Sequence, residues 1–175
     1  MNIASLIFAV LIFVIVGCSE KKDVRQLSES DKENIRVTAT EIRKAIITNN
    51  AKRLLEFVSD AHGLSCTDTE YTHKEIQSFL KNKNSHFYIS LFDNNRFAKQ
   101  CGNDYLGEYP AISEKEFLQS ANSTITIIPL ENDWVEVVIE SPIKSHYPRQ
   151  WYLHRENQAW RISGSSFIIG SCSCG

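Results

Sequence analysis

At Ser123 the spacing of apolar residues changes from three and four to two. Before that point side chains recur with the period of a helix, and after it they alternate as on a pleated strand. Thr124–Leu130, Trp134–Ser141, Arg149–His154 and Ala159–Ser163 read as four successive strands, with Ser166–Ile169 a candidate fifth. Glu131-Asn132-Asp133 and Arg155–Gln158 are polar hairpin connections, and Ser141-Pro142 ends the second strand. Pro129 cannot donate to a ladder, so the first strand belongs at an edge or stops early. In the second strand Val135, Val137 and Ile139 face one way; Trp134, Glu136, Val138 and Glu140 face the other. Helices followed by a consecutive antiparallel meander define an α+β domain, with the helices on one face of a sheet of four or five strands.

The helical half divides at its polar breaks. Asp31–Asn49 places Ile35, Ala39, Ile42, Ala45 and Ile46 on one stripe, with Ser30 as N-cap and Glu33 as its capping-box partner. Asn49-Asn50 interrupts it. A second helix over Ala51–Ser59 puts Leu54, Leu55 and Val58 on one face, and Gly63 opens a loop through Cys66 to Tyr71. Thr72 caps a third helix, with Glu75 at the capping-box position and Ile76, Phe79 and Leu80 buried. His86–Phe92 carries both alternation and helical spacing and is read as helix. Asp93–Ile112 holds turn formers, Cys101 and a Tyr-Pro pair, and reads as a long disulfide-tied loop. Ser113–Ala121 is a short capped helix with Phe117 and Leu118 inward.

The helix–break–helix AIITNNAKRLLEFV and the hairpins WVEVVIESP and QWYLHRENQAWRIS resemble the nuclear-transport-factor-two-like superfamily. That resemblance implies a curved sheet wrapped around the helices as a cone. It also implies that a small apolar molecule could occupy the cone, and that a pocket Asp or His could serve an isomerase or dehydratase.

The N-terminus bears on location. Ile3 to Val16 is uncharged, with Ser5 its one hydroxyl residue. As a helix this run is about 21 Å long, against a hydrocarbon core of about 30 Å. It suits the apolar region of a signal peptide better than a span. Ile15-Val16-Gly17-Cys18 resembles the lipobox of bacterial lipoproteins. The resemblance implies diacylglycerol on the Cys18 thiol and cleavage before Cys18, so that 1–17 is a signal peptide. An uncleaved short anchor and a plain secretory signal are the alternatives. Residues 18–30 read as a lipidated flexible tether and 31–175 as a single domain. The location expected is a bacterial cell envelope; Ser19 resembles sorting to the periplasmic face of an outer membrane in a Gram-negative cell.

In an exported chain the four other thiols, Cys66, Cys101, Cys172 and Cys174, suggest two disulfides. Bridging Cys172 to Cys174 would close a very small ring, so both are paired here with Cys66 and Cys101. A four-thiolate metal site is the rival arrangement, and the two tail thiols could also meet a redox partner or soft Cu(I).

No residue pattern names a reaction. The formal net charge of -2 gives no electrostatic reason to expect nucleic acid. His62, His73, His86, His146 and His154 are scattered; His154 is favoured as a site residue because it ends a strand beside Trp151 and Tyr152, where a pocket mouth could lie. Trp160 and one of Trp151 or Tyr152 belong in a core. Trp134, Tyr147, Trp151, Tyr152 and His154 form the candidate binding surface. Asp68 and Glu70 are too few ligands for calcium. No cofactor or resident metal is expected. The main reading is a non-enzymatic, lipid-anchored domain that binds another protein or an envelope component. The alternatives are a small-molecule-binding or enzymatic cone with an apolar pocket, and a thiol or metal module at Cys172-Ser173-Cys174.

Overall fold

The computed structural model describes residues 26–66, 69–102, 111–119, 124–140 and 148–165. Helix α1 (Glu29–Ile47) begins two residues before the expected Asp31, with Ser28 as its cap, because Ser28 and Asp31 satisfy each other. The Ser28 hydroxyl accepts the Asp31 amide at 3.0 Å and donates to its carboxylate at 2.8 Å. Its stripe of Ile35, Ala39, Ile42, Ala45 and Ile46 is buried, as the spacing requires. Asn49 then turns the chain with φ 54°, and Asn50 caps α2 (Ala51–Leu55). This second helix stops at Leu55 and not at Ser59. The reason is a competing ladder: Ile162 donates to the Phe57 carbonyl at 2.8 Å, and its own carbonyl accepts from Ser59 at 3.0 Å.

The segment read as a loop from Gly63 to Tyr71 contains a hairpin of β1 (Leu64–Cys66) and β2 (Thr69–Tyr71). Gly63 has φ 63°, and a Cβ there would lie 2.0 Å from the Tyr71 carbonyl oxygen, so the hairpin closes only over glycine. Thr72 and Glu75 form the expected capping box of α3 (His73–Lys81). His86–Phe92 is helix α4, capped by Ser85. The supposed loop after it holds a further helix, α5 (Asn94–Cys101). There Asp93 accepts the Arg96 amide at 3.1 Å, and Phe97 is buried against Ile89 and Ala111. The short helix α6 (Glu114–Gln119) turns Phe117 and Leu118 inward.

Four strands follow: β3 (Thr124–Pro129), β4 (Trp134–Glu140), β5 (Arg149–Glu156) and β6 (Ala159–Ser165). The expected α+β class is the observed one, but the sheet has six strands, ordered β2-β1-β6-β5-β4-β3. It is mixed, since β1 lies parallel to β6. β3 is the edge strand, where Pro129 costs no ladder bond. Residues 130–133 join β3 to β4 through a tight turn at Asn132-Asp133, and Asn157 and Gln158 join β5 to β6; these four turn residues have positive φ. Such two-residue turns match the twist of the paired strands. Opposite Tyr152 and Leu153 the register slips by one, leaving Ser163 as the extra residue of a bulge in β6.

One face of the sheet packs on the helices. Val135, Val137, Ile139, Trp151, Leu153 and Ile162 join Ile35, Ile42, Ile46 and Phe117 in a single core. Trp160 belongs to it too, as expected, and Trp151 is the second core aromatic. The opposite face carries Trp134, Glu136, Val138, Gln150, Tyr152 and His154, all half-buried. Among the described residues no helix is long and apolar enough to cross a membrane.

Candidate functional site

Three arrangements of polar and aromatic groups stand out against this scaffold. The first lies where α6 meets the sheet. Ser113 caps α6, accepting the Glu116 amide at 3.3 Å, while its own amide donates to Asn94 Oδ1 at 2.8 Å. That connection fixes Glu114, which is fully buried, above β5. Strand alternation brings Arg149 and Trp151 to the same inner face. Arg149 Nε donates to Glu114 Oε2 at 3.0 Å, and Trp151 Nε1 donates to Oε1 at 3.2 Å. The Arg149 guanidinium also stacks over the Phe117 ring, 3.9 Å from its centre. Burial is the dominant influence on both charges. It pushes the Glu114 carboxyl above the ordinary carboxylate range, against the pull of Arg149 and Trp151. It lowers Arg149 to about 10, against the pull of Glu114. Both carboxylate oxygens are occupied and the group is closed to solvent, so its chemistry is that of a buried clasp.

The second arrangement is on the other face. Trp134 packs against His154 with ring centres 5.1 Å apart, and His62 covers both at 5.5 and 4.7 Å. The tight turn at Ser59 delivers His62. The Ser59 hydroxyl accepts the His62 amide at 2.9 Å and donates to Glu156 at 2.8 Å. Burial and then His62 lower the His154 pKa; Glu156 and Asp133 oppose that shift. His154 Nδ1 is buried without a hydrogen-bond partner among the described residues. Tyr152 shares this face, its hydroxyl pKa raised by burial and by Glu136.

The third is an open cleft of about 520 Å³ between the α1–α2 bend, the α3–α4 connection and the start of α6. Asn49, Lys83, Tyr88, Arg96, Lys115 and Gln119 are among its walls. Lys115 Nζ donates to Asn49 Oδ1 at 3.2 Å, and Arg96 spans to the Lys83 carbonyl and Asn84 Oδ1, each at 3.1 Å.

The structure divides the residues singled out from sequence. Trp134, Tyr152 and His154 do share one surface. Trp151 does not: it is 0% exposed and sits on the core face. His154 does not end its strand: β5 runs on to Glu156, and the pleat turns His154 away from the helices. Cys101 is half-buried beside Ile89, Phe97 and Ala111. Cys66 ends β1, but its side chain, Asp68 and all of Cys18, Tyr147, Cys172 and Cys174 lie outside the described residues. Among the described residues no three His, Cys, Asp or Glu side chains are grouped to hold a metal ion. Sequence reasoning missed Glu114, Arg149 and the cleft, whose members come from segments far apart in the chain. His62 was seen, but nothing local tied it to Trp134.

In class, then, this is an α+β domain with its helices on one face of a bulged, six-stranded sheet. No family model matches the sequence, and a search of curated proteins finds no match. Three bacterial structures are similar to it at a distance. A protein of unknown function with a cystatin-like fold from Nostoc punctiforme is 10% identical, with 81% of this chain and 92% of that one covered and a TM-score of 0.42. An NTF-2-like protein of unknown function from Shewanella oneidensis is 12% identical, covering 77% and 96%, with a TM-score of 0.40. An NTF2-like protein with a cystatin-like fold from Novosphingobium aromaticivorans is 10% identical, covering 94% and 88%, also with a TM-score of 0.40. Likeness at this distance carries nothing about activity or partner.

Proposed function

We propose that the chain is a lipid-anchored protein of the bacterial cell envelope whose domain binds another protein or an envelope component and catalyses no reaction. The observation that carries this reading is the filled space between helices and sheet. Ile42, Phe117, Val137, Trp151 and Leu153 are each 0% exposed there, and the charged pair in that space is engaged with itself. A carboxylate closed in by an arginine and an indole has no approach for a substrate, which leaves recognition to the surface. Trp134, Tyr152 and His154 offer the aromatic groups that binding surfaces favour. In this reading Cys18 carries lipid and residues 18–30 act as a tether. Twelve or so flexible residues reach roughly 20 Å from a bilayer. Ser19 favours the periplasmic face of an outer membrane if the cell is Gram-negative.

Two measurements test the reading. Cys18→Ser should abolish lipid attachment and lipoprotein-type cleavage; processing after Gly17 with undiminished membrane binding removes the anchor. Affinity capture of the intact lipoprotein from its own membrane should return a specific partner that Trp134→Ala weakens. Stoichiometric release of a small apolar molecule when the purified protein is denatured would instead establish an internal pocket and overturn the binding-surface reading.

A further inference from the structure

We propose that the cleft beside the α1–α2 bend binds a small anionic saccharide, a sugar ring bearing one carboxylate or phosphate. The proposal rests on the binding-domain reading only in treating the cleft as a recognition site.

Size and polarity come first. A volume of about 520 Å³ is typical of small-molecule sites, which run roughly 300–1,000 Å³. Such sites are predominantly apolar when they take apolar ligands. This one is lined mainly by amides, hydroxyls and charged groups, so burying a hydrocarbon there would strand them without partners. A polar, hydroxyl-rich ligand satisfies them.

Charge narrows the class. Lys83 and Lys115 both line the cleft, and neither lies within ion-pair distance of a carboxylate among the described residues. Arg96 is oriented by the Lys83 carbonyl and Asn84, close to the Asp93 carboxylate at 3.9 Å. The two ammonium groups therefore favour a negatively charged group on the ligand, while Asp93 and Glu116 limit that charge and can accept from sugar hydroxyls.

Donor placement is partly set before any ligand arrives. Asn49 Oδ1 accepts from Lys115, and Asn94 Oδ1 accepts from the Ser113 amide. Each asparagine thus has its carbonyl oxygen engaged and its NH₂ left as a donor. Gln119 adds an amide and Tyr88 a hydroxyl. The Tyr88 ring, 4.8 Å from that of Phe92, gives the lining an aromatic surface for the C–H groups of a pyranose. An acceptor-rich ring with one anionic substituent is the complement of this lining.

Calorimetry on the full-length lipoprotein in detergent tests the assignment with four probes: glucuronate, glucose 6-phosphate, glucose and glucosamine. Saturable binding of either anionic sugar, with glucose and glucosamine at least tenfold weaker, is the expected result, that factor being the scale of one hydrogen bond to a charged group, about 1.4 kcal/mol. The first two probes separate a carboxylate from a phosphate preference. Lys83→Gln and Lys115→Gln should each weaken binding about tenfold with unchanged melting temperature. If either unfolds the protein, amide shifts at Asn49, Lys83 and Tyr88 on titrating the wild-type chain locate the ligand instead. Absence of binding by both anionic sugars overturns the proposal, as does equal binding of glucosamine, or of acetate and inorganic phosphate. Such a failure leaves the Cys18 and affinity-capture results untouched, so it is distinguishable from failure of the binding-domain reading.

Discussion

Replacing Glu114 and Arg149 singly and together tests whether their pairing stabilises the fold or only offsets its own burial. Glu114 is 0% exposed and Arg149 3%, so water relieves neither charge. Glu114→Leu removes the carboxylate from a guanidinium held in the core and orphans the Trp151 indole N–H. Together these cost about 3–5 kcal/mol. Arg149→Met has a different outcome. The Glu114 carboxyl is already displaced upward by burial, so without the guanidinium it takes a proton and still accepts from Trp151. That variant loses about 1–3 kcal/mol, the scale of one disturbed buried hydrogen bond. The double variant Glu114→Leu/Arg149→Met contains neither charge and leaves mainly the indole unsatisfied, again about 1–3 kcal/mol. The Arg149→Met and double-variant costs nearly cancel, so the two single costs together should exceed the double cost by about 3–5 kcal/mol, as coupled neighbours do. Urea unfolding of the purified protein at neutral pH, followed by tryptophan fluorescence and by circular dichroism, supplies all three values if the slope with urea stays constant. Additivity to within about 0.5 kcal/mol would refute the reasoning, because it would mean that the two groups do not answer each other's burial.

The same carboxyl gives a pH signature. Burial raises its pKa in the folded state above the unfolded 4.5, so the folded protein holds the proton more tightly. The stability of wild type minus that of Glu114→Gln should then fall as pH rises from 4.5 to the folded-state pKa, and a rising difference excludes the shift. Trp160→Ala should cost about 3–5 kcal/mol, since Trp160 is 5% exposed in the core; an unchanged melting temperature removes it from there. Cys66, Cys101, Cys172 and Cys174 are expected to form two disulfides worth about 2–4 kcal/mol each. Non-reducing peptide mapping of exported protein decides this, and four free thiols or a stoichiometric metal overturn it.

What could be read from the sequence was what repeats or caps locally. The stripe of α1 and the alternation of β4 each bury one face, so the spacing of apolar residues alone marks their inner sides. The Thr72–Glu75 box is equally plain because both partners lie within one turn. Ser30 and Glu33 have the same spacing, yet the helix is capped by Ser28, whose reciprocal contact with Asp31 is as local and wins. The hairpin β1–β2 offered no such signal. Three residues show no period, and β1 exists because β6 supplies a parallel neighbour a hundred residues later. The α5 helix was hidden by turn formers that serve as its caps: Asp93 at the start and Gly102, with φ 67°, at the end.

The same reasoning separates the parts of the candidate sites. His154 and Trp134 could be grouped as aromatic strand residues, but that they share a face comes from the β4–β5 register, which sets Trp134 directly opposite His154. Glu114 looked like any first-turn acid. Its role comes from two β5 residues, 35 and 37 positions away, whose register against α6 no local spacing encodes. A charged residue in the first turn of a short helix is ordinarily solvated; here the helix macrodipole favours the same carboxylate that burial penalises. That conflict distinguishes Glu114 from Glu116, two residues on and exposed, and it explains why one acid of a single turn is a clasp and the other remains free to face the cleft.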